Sequence, residues 1–171
     1  MLLKPSVSSQ DHAIGKADAN LVIVEYGDYQ CPYCGAAYPV LKELMREFGD
    51  QIKFVFRNFP LSEIHPFARP AALVAEAAAL QGKFWEMHDA IYENQSSLST
   101  DFLFELADQL GLDPTQLQSD LKQDSVEERV DADFESGMRS GVNGTPSFFV
   151  NGQKFNGGAE NLLDLIRSNA S

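Results

Sequence analysis

Residues 21–34 read LVIVEYGDYQCPYC, and the fold turns on how this run is parsed. Leu21 to Tyr26 is apolar and rich in β-branched side chains, the composition of a buried strand. Gly27, Asp28 and Gln30 then interrupt it. From Pro32 onward the pattern becomes helical. Tyr38, Leu41, Leu44, Met45 and Phe48 fall on one helical face, and Gly49 marks the end. Gln51 to Phe59 (QIKFVFRNF) returns to alternation through Ile52, Phe54 and Phe56. Strand, helix and strand in this order make a βαβ unit, for which a parallel pair is expected.

Outward from this unit the chain stays helical from about Ser62 to about Gly141. An alanine-rich helix covers 70–80. Phe84, Met87, His88, Ile91 and Tyr92 form one face of the next, and His88 is read as a packed core histidine. Phe102, Leu103, Leu106 and Leu110 form a further face, stopped by Gly111. Asp113 is placed to cap a helix that has Pro114 in its first turn. Val126, Val130, Phe134 and Met138 mark the last helix of the stretch. The β pattern resumes at Pro146 to Val150 (PSFFV), and Asn151-Gly152 is a hairpin turn signal. A return strand begins at Lys154, and Ala159 to Ser168 is a closing amphipathic helix. Of Phe148 and Phe149, one is expected to pack inward and the other is open to lining a groove.

Composition narrows the function. Of the 171 residues, 44% are hydrophobic and 22% charged, which suits a globular core. The net charge of −12 opposes phosphate backbones and anionic membrane surfaces, so nucleic acid is not an expected partner. No run approaches the roughly 20 apolar residues of a membrane span, so membrane insertion is not expected. The opening MLLKPSVSSQDH has no apolar stretch of secretory-signal length. Two locations are therefore expected: cytoplasmic, or periplasmic or otherwise extracytoplasmic if a leader has been removed. No dimerisation segment is visible, and a monomer is the default.

The only two cysteines are Cys31 and Cys34. A bridge between them closes a very short loop and restrains the unfolded chain little, so it is a poor staple. Half of a zinc site is an alternative, but two further ligands are needed, and His12, His65 and His88 are scattered singly; no metal is expected. An inert thiol pair is the other alternative. Disulfide exchange fits the context better. It needs a thiolate, and an ordinary cysteine, with a pKa of about 8.5, is little ionised at neutral pH. Cys31 stands where a turn meets a helix start, and the backbone N–H groups there favour a negative sulfur. Pro32 has no N–H and suits the first turn. Cys34 lies one turn on, placed to attack a mixed disulfide at Cys31. Cys31 is thus expected to be the nucleophile and the more exposed sulfur, with Cys34 the buried resolving thiol.

Glu25-Tyr-Gly-Asp-Tyr-Gln-Cys31-Pro-Tyr-Cys34 resembles the DsbA family of thiol–disulfide oxidoreductases. So do Gly144-Thr145-Pro146-Ser-Phe-Phe-Val-Asn-Gly152, His65-Pro66 and the stretch from Gln81 to Asp89. The resemblance runs from about Ala13 to Ile166. It implies an α/β, thioredoxin-like fold (βαβ…ββα) over residues 1–61 and 142–171, with an inserted all-helical domain over 62–141. It implies that Pro146 is cis and faces the cysteine pair, turning the backbone of Thr145 toward an extended substrate. It also implies that Glu25 is a buried acid beneath the cysteines, able to exchange a proton with Cys34. A solvent-facing Glu25 is the alternative, because strand faces alternate. Pro32-Tyr33 departs from the Pro-His of the best-known members and matches glutaredoxins, which leaves the redox potential open.

The expected activity is dithiol–disulfide exchange with protein thiols and disulfides, as a disulfide oxidase. The redox group is the Cys31–Cys34 couple itself, without another cofactor. An exported protein would be reoxidised by a membrane partner, whereas a cytosolic one would meet the glutathione and thioredoxin pools and act as a reductase. Glutaredoxin-like use of glutathione and a redox-responsive binding module are the competing readings.

Overall fold

The structure, a computed structural model, describes residues 1–170. The chain divides into two compact units. One comprises residues 1–27, 32–57 and 135 onward, and the other comprises 28–31 and 58–134. The boundaries read from sequence fell at 61/62 and 141/142. The observed division lies at 57/58 and 134/135, and Asp28–Cys31 groups with the helical residues.

The first unit is built on a five-stranded sheet: β1 (His12–Gly15), β2 (Leu21–Gly27), β3 (Ile52–Asn58), β4 (Ser147–Val150) and β5 (Gln153–Phe155), in the order β1-β3-β2-β4-β5. β2 is central. Its residues from Ile23 to Gly27 are all buried, as expected of a strand covered on both faces. α1 (Pro32–Phe48) joins β2 to its neighbour β3, and α7 (Ala159–Asn169) closes the chain against α1. The core of this unit holds Ile23, Tyr26, Leu44, Ile52, Phe56, Phe148 and Phe149, each less than 2% exposed. Neither Phe148 nor Phe149 is left to line a groove, because both are fully buried on the two faces of the sheet; Phe149 meets the Tyr26 ring edge-on at 5.7 Å.

β1 was not read from the sequence. It pairs antiparallel with β3, His12 opposite Phe56 and Gly15 opposite Lys53. Three of its four residues are exposed, so no apolar alternation announces it. Gly15 is required there: its φ is +96°, and a Cβ would stand 2.2 Å from the Ile52 carbonyl oxygen.

The second unit contains α2 (Ala68–Leu80), α3 (Phe84–Glu93), a short 3-10 turn (Gln95–Ser97), α4 (Thr100–Gln109), α5 (Pro114–Leu121) and most of α6 (Asp124–Arg139). α2 packs against α3, α4 and α5. Its alanines let the neighbouring helices approach closely, and Ala68, Ala71, Ala75, Ala77 and Ala78 are fully buried. Asp113 caps α5 by accepting from Gln116 N–H at 3.0 Å, with Pro114 in the first turn. In α6, Val126 and Val130 are buried, but Met138 is 59% exposed. The inward face there is carried by Asp133 and Ser136 instead, with buried Ser140 just past the helix end. Their polar groups are bonded internally: Ser136 Oγ lies 2.8 Å from Tyr26 Oη, and Ser140 Oγ donates to the Ser136 carbonyl.

Candidate active site

Where β2 ends, the chain makes a tight turn, Asp28–Cys31, before α1 starts at Pro32. The turn is braced at both ends of Cys31. The Cys31 N–H donates to the Asp28 carbonyl at 3.1 Å and to Asp28 Oδ1 at 3.2 Å. The Cys31 carbonyl accepts from Gln95 Nε2 at 2.8 Å, and the same nitrogen donates to the Tyr29 carbonyl at 2.9 Å. Gln30 adds a third tie by accepting from Phe67 N–H at 2.7 Å.

Asp28 is the centre of this network. Its side chain is fully buried. Oδ1 accepts from the N–H groups of Gln30 (2.7 Å) and Cys31, while Oδ2 accepts from Leu61 N–H (2.9 Å) and His65 Nδ1 (2.7 Å). A carboxylate can take this many donors because each oxygen has two acceptor positions. Tyr29, beside it, packs in an aromatic cluster, 5.0 Å from Tyr92 and 5.8 Å from His88. His88 is buried as expected, and its Nδ1 lies 2.9 Å from Asp89 Oδ1.

Cys31 was expected to be the more exposed of the two sulfurs. It is 3% exposed and Cys34 is 0% exposed, so both are buried. The backbone bonds on either side of Cys31 draw it inward. Pro32 and Tyr33 carry the solvent-facing part of the motif, with Tyr33 76% exposed. Pro32 occupies the first position of a 17-residue helix, and Cys34 lies on its buried face.

Glu25 is buried, at 2% exposure, so the solvent-facing alternative does not apply. It sits opposite Phe148 in the antiparallel pairing of β2 with β4. The same register sets Tyr26 opposite Ser147. Pro146 therefore stands level with the end of β2, where the chain leaves for the cysteine turn. The Thr145–Pro146 peptide is cis, as is Lys4–Pro5. Thr145 is half-buried, and Ser147 Oγ donates to the Gly144 carbonyl at 2.7 Å, closing the loop on itself.

Sequence reasoning missed three residues of this site: Asp28, taken only as a strand breaker, and Gln95 and His65, given no role in the turn. Nothing local marks Gln95 or His65, because their bonds to the turn span 64 to 66 and 37 residues of sequence.

The family model described as Thioredoxin matches residues 7–167, and the chain belongs to that family. Strong structural neighbours are DsbA-like thiol–disulfide oxidoreductases. The chain is similar to a thioredoxin-like oxidoreductase from Silicibacter pomeroyi DSS-3, with TM-score 0.78 and 27% identity over 96% of this chain and 95% of that one. It is similar to BdbD from Bacillus subtilis, with TM-score 0.79 and 26% identity over 93% and 90% of the two chains. The thiol–disulfide exchange protein alpha-DsbA2 from Wolbachia pipientis shares the fold at TM-score 0.83 and 22% identity, over 95% and 86%. Curated relatives carry a different name. Na(+)/H(+) antiporter NhaA 1 of Salinispora arenicola is 41% identical over 156 residues, which are 91% of this chain but 24% of the antiporter. The chain thus spans about a quarter of the length of the curated relatives it matches. Among the described residues no helix is long and apolar enough to cross a membrane.

Proposed function

We propose that this chain exchanges disulfides with protein thiols through Cys31 and Cys34, working as a disulfide oxidase. In the oxidised chain a substrate thiolate attacks Cys31 Sγ. The Cys31–Cys34 bond breaks, and its electron pair leaves on Cys34 Sγ, which takes up a proton. A second substrate thiolate then attacks the substrate sulfur of the mixed disulfide, forms the substrate's own disulfide and expels Cys31 as the thiolate. The substrate loses two electrons and the chain gains them; one proton comes to rest on Cys34, and Cys31 is left as the thiolate. Glu25 is assigned the proton exchange with Cys34, and the Thr145 backbone before Pro146 the pairing with an extended substrate segment. The cysteine couple is the redox group, and no other cofactor enters the scheme. An oxidising partner, proposed as membrane-borne, restores the disulfide by withdrawing two electrons.

The observation that carries this reading is the placement of Cys31 at the mouth of a long helix, in a chain aligned almost end to end with DsbA-like structures. The oxidase direction follows the resemblance of the Cys31 and Pro146 motifs to the DsbA family. Sodium–proton exchange belongs to the named antiporters and is not part of the reading.

The test is the reduction potential of the Cys31–Cys34 couple in glutathione buffers. A value well above thioredoxin's roughly −270 mV, toward about −120 mV, supports an oxidase. A value at or below thioredoxin's overturns that direction and makes the chain a reductase.

A further inference from the structure

Asp28 and His65 lie outside the scheme above, yet they hold the residue on which it depends. Asp28 Oδ1 takes the N–H groups of Gln30 and Cys31, and Oδ2 takes those of Leu61 and His65. One carboxylate therefore ties the cysteine turn to the 61–65 segment. It does so from a fully buried position, while the His65 side chain keeps 16% exposure. A carboxylate only accepts, so His65 Nδ1 carries the proton of the 2.7 Å bond. The bond to Cys31 N–H is the longest of the four at 3.2 Å and is shared with the Asp28 carbonyl. It is thus the contact most sensitive to displacement of the carboxylate.

We propose that Asp28 is the positioning residue of the Cys31 nucleophile and that His65 holds Asp28 in register. The proposal rests on the exchange role of Cys31 given above. Its chemical consequence is specific. How readily Cys34 closes on Cys31 depends on how narrowly the two sulfurs are confined, that is, on their effective concentration. A loosened Cys31 turn leaves the protein folded but lets a mixed disulfide at Cys31 persist. A carboxylate that merely braces the fold would change stability and leave that partition unaltered.

The experiment measures the fraction of chain held as the Cys31–glutathione mixed disulfide, and the Cys31–Cys34 equilibrium, in glutathione buffers. The proteins are the unaltered chain, Asp28→Ala, His65→Ala and His65→Gln, with folding monitored by circular dichroism. Asp28→Ala is expected to raise the mixed-disulfide fraction by about tenfold, and His65→Ala by a smaller factor in the same direction. His65→Gln keeps an N–H donor and is expected to return close to the unaltered chain. If Asp28→Ala does not fold, the two His65 variants decide the matter alone. A lower stability with an unchanged partition, or a His65→Gln variant no better than His65→Ala, overturns the proposal. The couple equilibrates with glutathione whether or not a protein substrate is turned over. Failure of the oxidase reading and failure of this proposal are therefore seen separately.

Discussion

At the scale of single residues, the order of the two thiols is a matter of geometry. Cys31 ends a braced turn with exposed Pro32 and Tyr33 beside it, whereas Cys34 is wholly inside on α1. An incoming sulfur can approach only the former without unfolding the helix. Cys31→Ser is therefore expected to abolish exchange, and Cys34→Ser to accumulate mixed disulfides through Cys31. Gel mobility under non-reducing conditions reads both, and adducts that survive in Cys31→Ser would reverse the assignment. Glu25 is tested in the same assay. Glu25→Gln keeps the shape but loses the proton carrier at a 2%-exposed position, and it is expected to slow formation of the mixed disulfide, the step in which Cys34 leaves, about tenfold or more. Formation at the unaltered rate would remove Glu25 from the mechanism.

At the scale of elements, what was legible depended on whether a signal is local. β2, α1, the β4–β5 hairpin and the capped start of α5 were all readable, because apolar period, turn residues and caps sit within a few positions of one another. β1 was not, since its pairing with β3 is made by backbone and by Gly15 against Ile52 rather than by an apolar face. Met138 fits the helical period, yet it points outward, because the last turns of α6 bury serine hydroxyls bonded to Tyr26 and to backbone. The hairpin offers a clean test of local reasoning. Asn151 and Gly152 both have positive φ, 49° and 84°, as a type I′ turn demands. Asn151 also ties the turn to β2, with Oδ1 accepting from Val22 N–H at 2.8 Å. A Cβ at Gly152 would touch nothing within 4 Å, so Gly152→Ala carries backbone strain alone, about 1–2 kcal/mol. Gly144 is equally open and has no positive φ, so Gly144→Ala is expected to stay within about 0.5 kcal/mol of the unaltered chain. Urea denaturation of both variants checks the contrast, and equal losses would refute the assignment of the cost to φ.

At the scale of the whole molecule, an acidic chain with net charge −12 has most of its carboxylates in water, but Asp133 answers to pH with the opposite sign to a salt-bridged acid. It lies on α6 and receives Asn58 N–H at 2.9 Å and Asn58 Nδ2 at 3.0 Å on Oδ2; the same Nδ2 reaches Glu76 Oε2 at 2.8 Å. Arg129 Nε approaches Oδ1 only to 3.5 Å. Burial is the dominant influence. Together with the negative charge of Glu76 it outweighs Arg129 and the Asn58 donors, and the carboxyl is pushed up from 3.8 to about 6. The folded state thus holds this proton more tightly than the unfolded state does. Below about pH 4 both states are protonated and the group costs nothing. Between about pH 4 and pH 6 the unfolded chain releases the proton first, so stability falls as pH rises through that window. Above it the loss is complete, about 3 kcal/mol. Asp133→Asn keeps an oxygen for the Asn58 donors and has no proton to release. The stability of the variant minus that of the unaltered chain is therefore expected to climb by about 3 kcal/mol from pH 4 to pH 7. Taking the difference cancels the other carboxylates, which titrate alike in both proteins. Parallel stability profiles across that range would mean that Asp133 is ionised in the fold and that Arg129 and Asn58 together outweigh its burial.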